Sequence, residues 1–220
     1  MRRIIFSKYS NDRDRRFAIR TDIVRNDDGG ADLMEVEKHV MFPEGSEHLE
    51  RQSRYFAEYS DRYSAAGLEL AEAGMDGGTL RYQFIDGDSV SDRIDAYIDC
   101  GDADKAADLL LAFCERIRDL YSVETWKSTE QFGKVFGTVD FANVSPEGIK
   151  GCSFADIDLV PENIIVSGDK GYVTDYEWIF DFPIPADYVV YRAIRTYMYS
   201  GGKRNMLMKH ERYERVGISD

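Results

Sequence analysis

Cysteine, histidine and long apolar runs are scarce in this sequence, and each scarcity closes off a class of protein. Cys100, Cys114 and Cys152 are irregularly spaced and form no C-x-x-C pair. Neither a disulfide framework nor a zinc site is implied, and reduced thiols in a cytoplasmic chain are expected. His39, His48 and His210 show no ligand spacing, so no structural metal is expected from them. No stretch approaches the about 18 apolar residues of a membrane span. Met1-Arg-Arg-Ile-Ile-Phe6 is too short for a signal peptide. A basic stripe is missing as well. The formal charge is −13, and arginines alternate with acids, as in Asp12-Arg-Asp-Arg-Arg16. Nucleic acid, which needs a positive footprint, is not an expected partner. The locally basic tail from Lys203 to Arg215 reads as a solvated helix face. There is no internal repeat and no low-complexity tract.

What remains is a chain of 220 residues, 43% hydrophobic, enough to bury a core or two lobes that share a cleft. Arg3–Ser7, Phe17–Val24 and Leu33–Met41 alternate as strands. Polar turns at Asn11–Asp14 and Asn26–Gly30 separate them. A helix is expected from about Pro43 to Tyr63, with Pro near its start and Glu44, Glu47 and Glu50 at its positive end. Leu80–Val90 reads as a strand ending in a glycine turn, and Ser91–Ile98 as a short helix. The clearest helix is Ala103–Tyr121, where Ala106, Leu109, Leu110, Phe113, Ile117 and Leu120 form an apolar stripe. Ser122–Cys152, with Phe132-Gly-Lys-Val-Phe-Gly137, reads as an irregular insertion on the substrate side.

The chemistry concentrates between Phe154 and Trp178. Asp158 is followed by Asn163, then by the apolar run Ile164-Ile-Val166, the turn Ser167-Gly-Asp-Lys-Gly171, the run Tyr172-Val-Thr174 and Asp175. A hairpin over these runs puts Asn163 at the start of one strand and Asp175 at the end of its partner, on one rim. Mg²⁺ takes one or two carboxylate or amide oxygens and completes its octahedron with water and phosphate. A loop carboxylate, an amide and a second carboxylate in this order are the layout of a phosphoryl-transfer site.

Asp156-Ile-Asp-Leu-Val-Pro-Glu-Asn163 resembles the catalytic loop H-R-D-L-K-P-E-N of the protein-kinase-like superfamily, and Asp175-Tyr-Glu177 sits where D-F-G would. Asp156 replaces the usual His, Val160 a frequent Lys, and Tyr176-Glu177 the Phe-Gly pair. Tyr176–Pro185 and Tyr188-Val-Val-Tyr-Arg192 are similar to the kinase modules of bacterial O-antigen chain-terminating methyltransferase–kinases and of domains attached to polysaccharide glycosyltransferases. The resemblance runs from about Phe6 to the C-terminus and is strongest after Asp156. It implies a two-lobed α+β fold, with a small antiparallel-sheet lobe over 1–87 and a reduced, mostly helical lobe over 88–220. It makes Asp158 the catalytic base and Asn163 and Asp175 the Mg²⁺ ligands. Lys38 would reach the nucleotide phosphates, paired with Glu50 or Glu47, and backbone groups of roughly Gln83 to Ile85 would bond adenine. Glu177 would join the metal site or cap the following turn. The first turn departs from the family, since Tyr9–Asp14 holds no glycine, and Ser10 and Asn11 are left to approach the phosphates by side chain.

The expected activity is transfer of a phosphoryl group from ATP, with Mg²⁺, to a hydroxyl of a sugar or polysaccharide end. The alternative is a catalytically inactive kinase-like module in a polysaccharide-assembly protein, and a third reading is an unrelated α+β binding domain. Few residues follow Asp175, no A-P-E triplet appears, and the end at Gly217-Ile-Ser-Asp220 looks like a cut from a longer polypeptide that carries further domains.

Overall fold

A computed structural model describes residues 1–10, 12–28, 31–139, 145 and 147–209, in two units, Met1–Asp86 and Gly87–Asp220. Asn11, His210 and the rest of the basic tail lie outside the described residues.

The first unit contains strands Arg2–Tyr9 (β1), Ile19–Asp28 (β2) and Ala31–Val40 (β3), helix Ser46–Ala65 (α1), then strands Leu68–Leu70 (β4), Ala73–Asp76 (β5) and Thr79–Gln83 (β6). Five of these strands form one antiparallel sheet in the order β1-β2-β3-β6-β5. Three strands follow the helix, and the first, Leu68-Glu-Leu70, is too short for alternation to reveal. The strand expected over Leu80–Val90 stops at Gln83. Gly77 and Gly78, at φ 56° and 83°, close the two-residue turn between β5 and β6, a left-handed pair that the strand twist favours.

One face of this sheet carries like charges directly opposite each other, Asp22 against Glu37, both buried. Such a pair is unfavourable unless neutralised. Arg20 lies 3.0 Å from Asp22, and Ser7 donates its hydroxyl to the same carboxylate at 2.6 Å. Arg81 approaches Glu37 at 3.5 Å, and Arg2 also pairs with it. α1 turns His48, Leu49, Gln52, Tyr55 and Tyr63 inward, and Tyr82 of β6 donates its hydroxyl to Gln52 Oε1 at 2.7 Å.

The second unit contains Asp88–Ser89 (β7), Val90–Asp99 (α2), Ala103–Tyr121 (α3), Glu124–Thr125 (β8), Glu130–Phe136 (α4), Lys150–Cys152 (β9), Ala155–Asp156 (β10), Ile164–Ser167 (β11), Lys170–Val173 (β12), Ile179–Phe180 (β13), Ile184–Pro185 (β14) and Ala186–Tyr199 (α5), then a 3-10 segment, Gly202–Lys209. Ser89 and Asp92 make a reciprocal capping box at the start of α2. Asp102 caps α3 by accepting the Lys105 N–H. α2, α3 and α5 bury Ile94, Leu110, Phe113, Cys114, Ile117, Val190, Ile194 and Tyr197. Burial pushes the Cys114 thiol up to about 12, so it is an inert core group. The fold is thus α+β, an antiparallel sheet with one helix followed by a mostly helical unit. No helix among the described residues is long and apolar enough to cross a membrane.

The expected insertion contains ordered pieces. Trp126 donates its indole N–H to Pro183 O at 2.9 Å, and β9 pairs with both β8 and β14. Phe132 and Phe136 of α4 pack edge-on against Phe180, Phe182 and Tyr188, with centroids 5.3–6.5 Å apart.

Arg204, which sequence reasoning left in a solvated tail, is buried. Its guanidinium donates to Asp95, to Glu162 at 2.7 Å, to Ser91 at 2.9 Å and to Tyr197 O, and lies 4.2 Å from the Tyr197 ring. Burial pushes the Asp95 carboxyl up, but hydrogen bonds from Arg204 and Tyr197 and the charges of Arg204 and Lys203 outweigh it and hold it below the usual range. That contribution is complete above the ordinary Asp value of about 3.9. It is lost as pH falls through the lower folded value. Arg204→Ala removes the guanidinium from Asp95 and Glu162 and should destabilise the unit by roughly 1–3 kcal/mol, read from urea denaturation. A change within experimental error would contradict the role assigned to this contact.

Candidate functional site

The second unit joins two of the expected site residues, Asp158 and Asn163, by a hydrogen bond, and Asp175 follows Thr174, which bonds Asn163 in turn. β11 and β12 pair from Ile164↔Val173 to Ser167↔Lys170. Gly168, at φ 62°, opens a two-residue turn, shorter than the turn expected from the sequence by one residue at its start and two at its end. At the open end, Thr174 donates its N–H to Asn163 O at 2.9 Å and its hydroxyl to the same oxygen at 3.2 Å. Asn163 and Asp175 therefore stand on one rim of the hairpin, one residue out of register.

Asn163 closes a 3-10 turn, Pro161–Asn163, that starts at the extended Val160. Its N–H donates to Val160 O at 3.0 Å, and its Nδ2 donates to Asp158 O at 3.0 Å. With Nδ2 engaged, Oδ1 is the atom able to face a cation. Val160 N–H also donates to Asp158 O, at 2.8 Å. The backbone between Asp158 and Asn163 is thus fastened at both ends.

Asp158 follows β10, which pairs with β13 through Asp156↔Ile179, and Ile157 donates its N–H to Trp178 O at 3.0 Å. The loop carrying Asp158 is stapled to the segment just after Asp175. Beneath it, Tyr121 at the end of α3 accepts the Asp156 N–H on its hydroxyl oxygen at 3.1 Å. Arg192 of α5 donates from Nη2 to Asp158 Oδ1 at 2.6 Å and from Nε to Ile157 O at 3.3 Å.

Asp156 is fully buried. One oxygen accepts the Asp158 N–H at 3.0 Å, and the other finds no hydrogen-bond partner. Burial first, and then the negative charge of Asp158, push its carboxyl well above the usual range against that one N–H; Asp175 and Glu177 push it the same way. The shift favours the protonated form of Asp156, and the four carboxyls form one electrostatic group. Among the described residues no three His, Cys, Asp or Glu side chains gather as a metal cluster. A site of one amide and one carboxylate oxygen, completed by phosphate and water, does not require three. The sequence showed Asp156 only as a departure from His, and nothing in residue spacing revealed Arg192 as the neighbour of Asp158.

In the first unit Lys38 is 2% exposed, with Nζ 5.1 Å from the Tyr82 ring centroid. Glu50 and Glu47 are both exposed. Glu50 stands about 160° around α1 from Gln52, two residues at 100° each being 200°. Gln52 faces inward instead, where it accepts the Tyr82 hydroxyl. Gln83 ends β6 and donates its N–H to Glu72 O at 2.9 Å, so that donor is engaged, while Ile85 belongs to no strand. In the first turn, Ser10 N–H donates to Ile19 O at 3.0 Å, and Asp14 binds Arg16 through side chain and backbone.

No family model and no curated protein matches the chain. Among solved structures it is similar to the apoenzyme of macrolide 2'-phosphotransferase MphH from Brachybacterium faecium. The TM-score is 0.44 and the identity 11%, over 97% of this chain and 78% of that one.

The raised Asp156 carboxyl makes stability depend on pH. In the unfolded chain it releases its proton at about 3.9. The folded protein keeps that proton, so stability falls as pH rises from there toward the raised folded value. Asp156→Asn keeps an oxygen for the Asp158 N–H and removes the titration. It should match the wild type near about pH 4 and be the more stable of the two near about pH 7, by chemical denaturation at both. Lower stability at the higher pH would mean that the carboxylate is ionised in the fold.

Proposed function

We propose that this chain is an ATP- and Mg²⁺-dependent phosphotransferase that acts on a hydroxyl. The observation that carries the reading is the frame Asp158–Asn163–Thr174, which holds a carboxylate, an amide oxygen and the Asp175 carboxylate around one loop and hairpin rim. In this reading Asp158 orients the acceptor hydroxyl and takes its proton. Asn163 Oδ1 and Asp175 hold Mg²⁺, a hard ion that suits oxygen donors. Lys38 is assigned to the nucleotide phosphates, and backbone groups near Ile85 to adenine. Bound Mg²⁺ would supply the charge that offsets repulsion between phosphate and these carboxylates, which matters in a chain of net charge −13. The raised Asp156 carboxyl eases that balance in the same direction.

The acceptor is assigned as a sugar or the end of a cell-surface polysaccharide, which makes ATP and a glycan the partners and the cytoplasm the compartment. Two features support it. Tyr176–Arg192 resembles the kinase modules of polysaccharide chain-terminating enzymes. The half-buried rings of Phe136, Phe180, Phe182 and Tyr188 offer apolar faces in the same unit as Asp158. A second reading, a kinase-like module without turnover, is favoured by the glycine-free first turn, where the Ser10 amide is engaged by Ile19.

Thermal denaturation with Mg²⁺ and ATP separates the two. Nucleotide at a hundredfold excess over its dissociation constant should stabilise the wild type by about 2.7 kcal/mol. The effect should need Mg²⁺ and disappear in Asp175→Asn. Asp158→Asn should keep the shift and lose turnover by roughly 10²–10⁴-fold, followed as ADP release. A shift with no turnover in the wild type selects the second reading, and no shift at all removes the nucleotide assignment.

A further inference from the structure

We propose that Arg192 is the positioning residue for Asp158, gripping it from α5 so that the carboxylate meets the acceptor in one orientation. The inference rests on Asp158 being the proton acceptor. The contact has two points. Nη2 holds Asp158 Oδ1 at 2.6 Å, and Nε holds the carbonyl of the preceding residue, Ile157, at 3.3 Å. A planar guanidinium that binds a side chain and the backbone beside it fixes both the rotamer and the loop that carries it. The grip comes from a rigid element, because α5 buries Val189, Val190, Ala193 and Ile194 around Arg192. Cation and carboxylate are only partly exposed, at 36% and 29%, so the pair is screened less than a surface one.

The loop itself offers no such cation. Val160 stands two residues after Asp158, and Leu159 between them is buried. Asp156, Asp175 and Glu177 surround the same loop with acid. Arg192 is the cation that the fold brings to Asp158, from a helix 34 residues away in sequence. One oxygen of Asp158 is engaged by it, which leaves Oδ2 to accept the hydroxyl proton. Lysine at this position would reach the carboxylate as a point charge and would not span both contacts.

Two measurements test this, one of them independent of turnover. Amide hydrogen exchange of the wild type, Arg192→Lys and Arg192→Ala reads the loop directly. The N–H groups of Asp158, Val160 and Asn163 should exchange about tenfold faster in Arg192→Ala, while α3 and α5 keep their protection. Unchanged exchange in the loop overturns the proposal, whether or not the protein turns over ATP. The second is ADP release with water as acceptor. Arg192→Ala should lower kcat about 10–100-fold, as misplacement of a reacting group does. The KM for ATP should be unchanged, free guanidinium should restore part of the rate, and Arg192→Lys should fall between. A kcat equal to or above that of the wild type overturns the proposal, the latter marking Arg192 as a latch. If the wild type and Asp158→Asn release ADP at the same rate, the base assignment fails instead, and the exchange result alone judges the grip.

Discussion

The carbonyl oxygen of Asn163 accepts two hydrogen bonds from Thr174, and the candidate site of the second unit is built outward from that junction. It fixes where the loop ends and the hairpin begins. From there the Asn163 side chain reaches back to Asp158 O, and the 3-10 turn leaves no slack between the two residues. A site that must place a carboxylate and a metal-binding amide within a fraction of an ångström needs this kind of support from groups that do no chemistry themselves. Loss of the junction would loosen Asp158, Asn163 and Asp175 together.

Around this frame the polar groups are arranged so that charge is offset at each level. Burial raises the Asp156 carboxyl, which accepts the Asp158 N–H. Arg192 meets Asp158 from α5, and Arg204 meets Glu162, the residue next to Asn163, from the C-terminal 3-10 segment. Two arginines distant in sequence thus hold the two flanks of one short loop. The first unit follows the same logic on its sheet, where Arg2, Arg20 and Arg81 surround the opposed Asp22 and Glu37. In an acidic chain, buried carboxylates persist only where a cation is brought to them or the proton is kept.

The aromatic residues tie the remaining pieces down. α4 has only seven residues and would not stand alone, yet Phe132 and Phe136 set it against Phe180, Phe182 and Tyr188. Tyr188 lies one turn before Arg192 on α5, so the packing of the insertion and the grip on Asp158 share a helix face.

Elements whose signals are local are legible before any tertiary contact is considered. The 3.6-residue stripe of Ala103–Tyr121, the alternation of the first three strands and the hairpin between Asn163 and Asp175 all appear where the pattern put them, within a few residues. The rim shared by Asn163 and Asp175 was legible because a two-stranded hairpin has one geometry once its turn is known. Tertiary structure decided the rest. Lys38 is buried and Glu50 is not, since the inward face of α1 is set by packing on the sheet and gives that place to Gln52. The Asp156 carboxyl is raised by burial, which no residue pattern reports. Arg192 and Arg204 reach their carboxylates only when α5 and the C-terminal segment fold back, a contact between distant positions that a single sequence does not encode in its spacing.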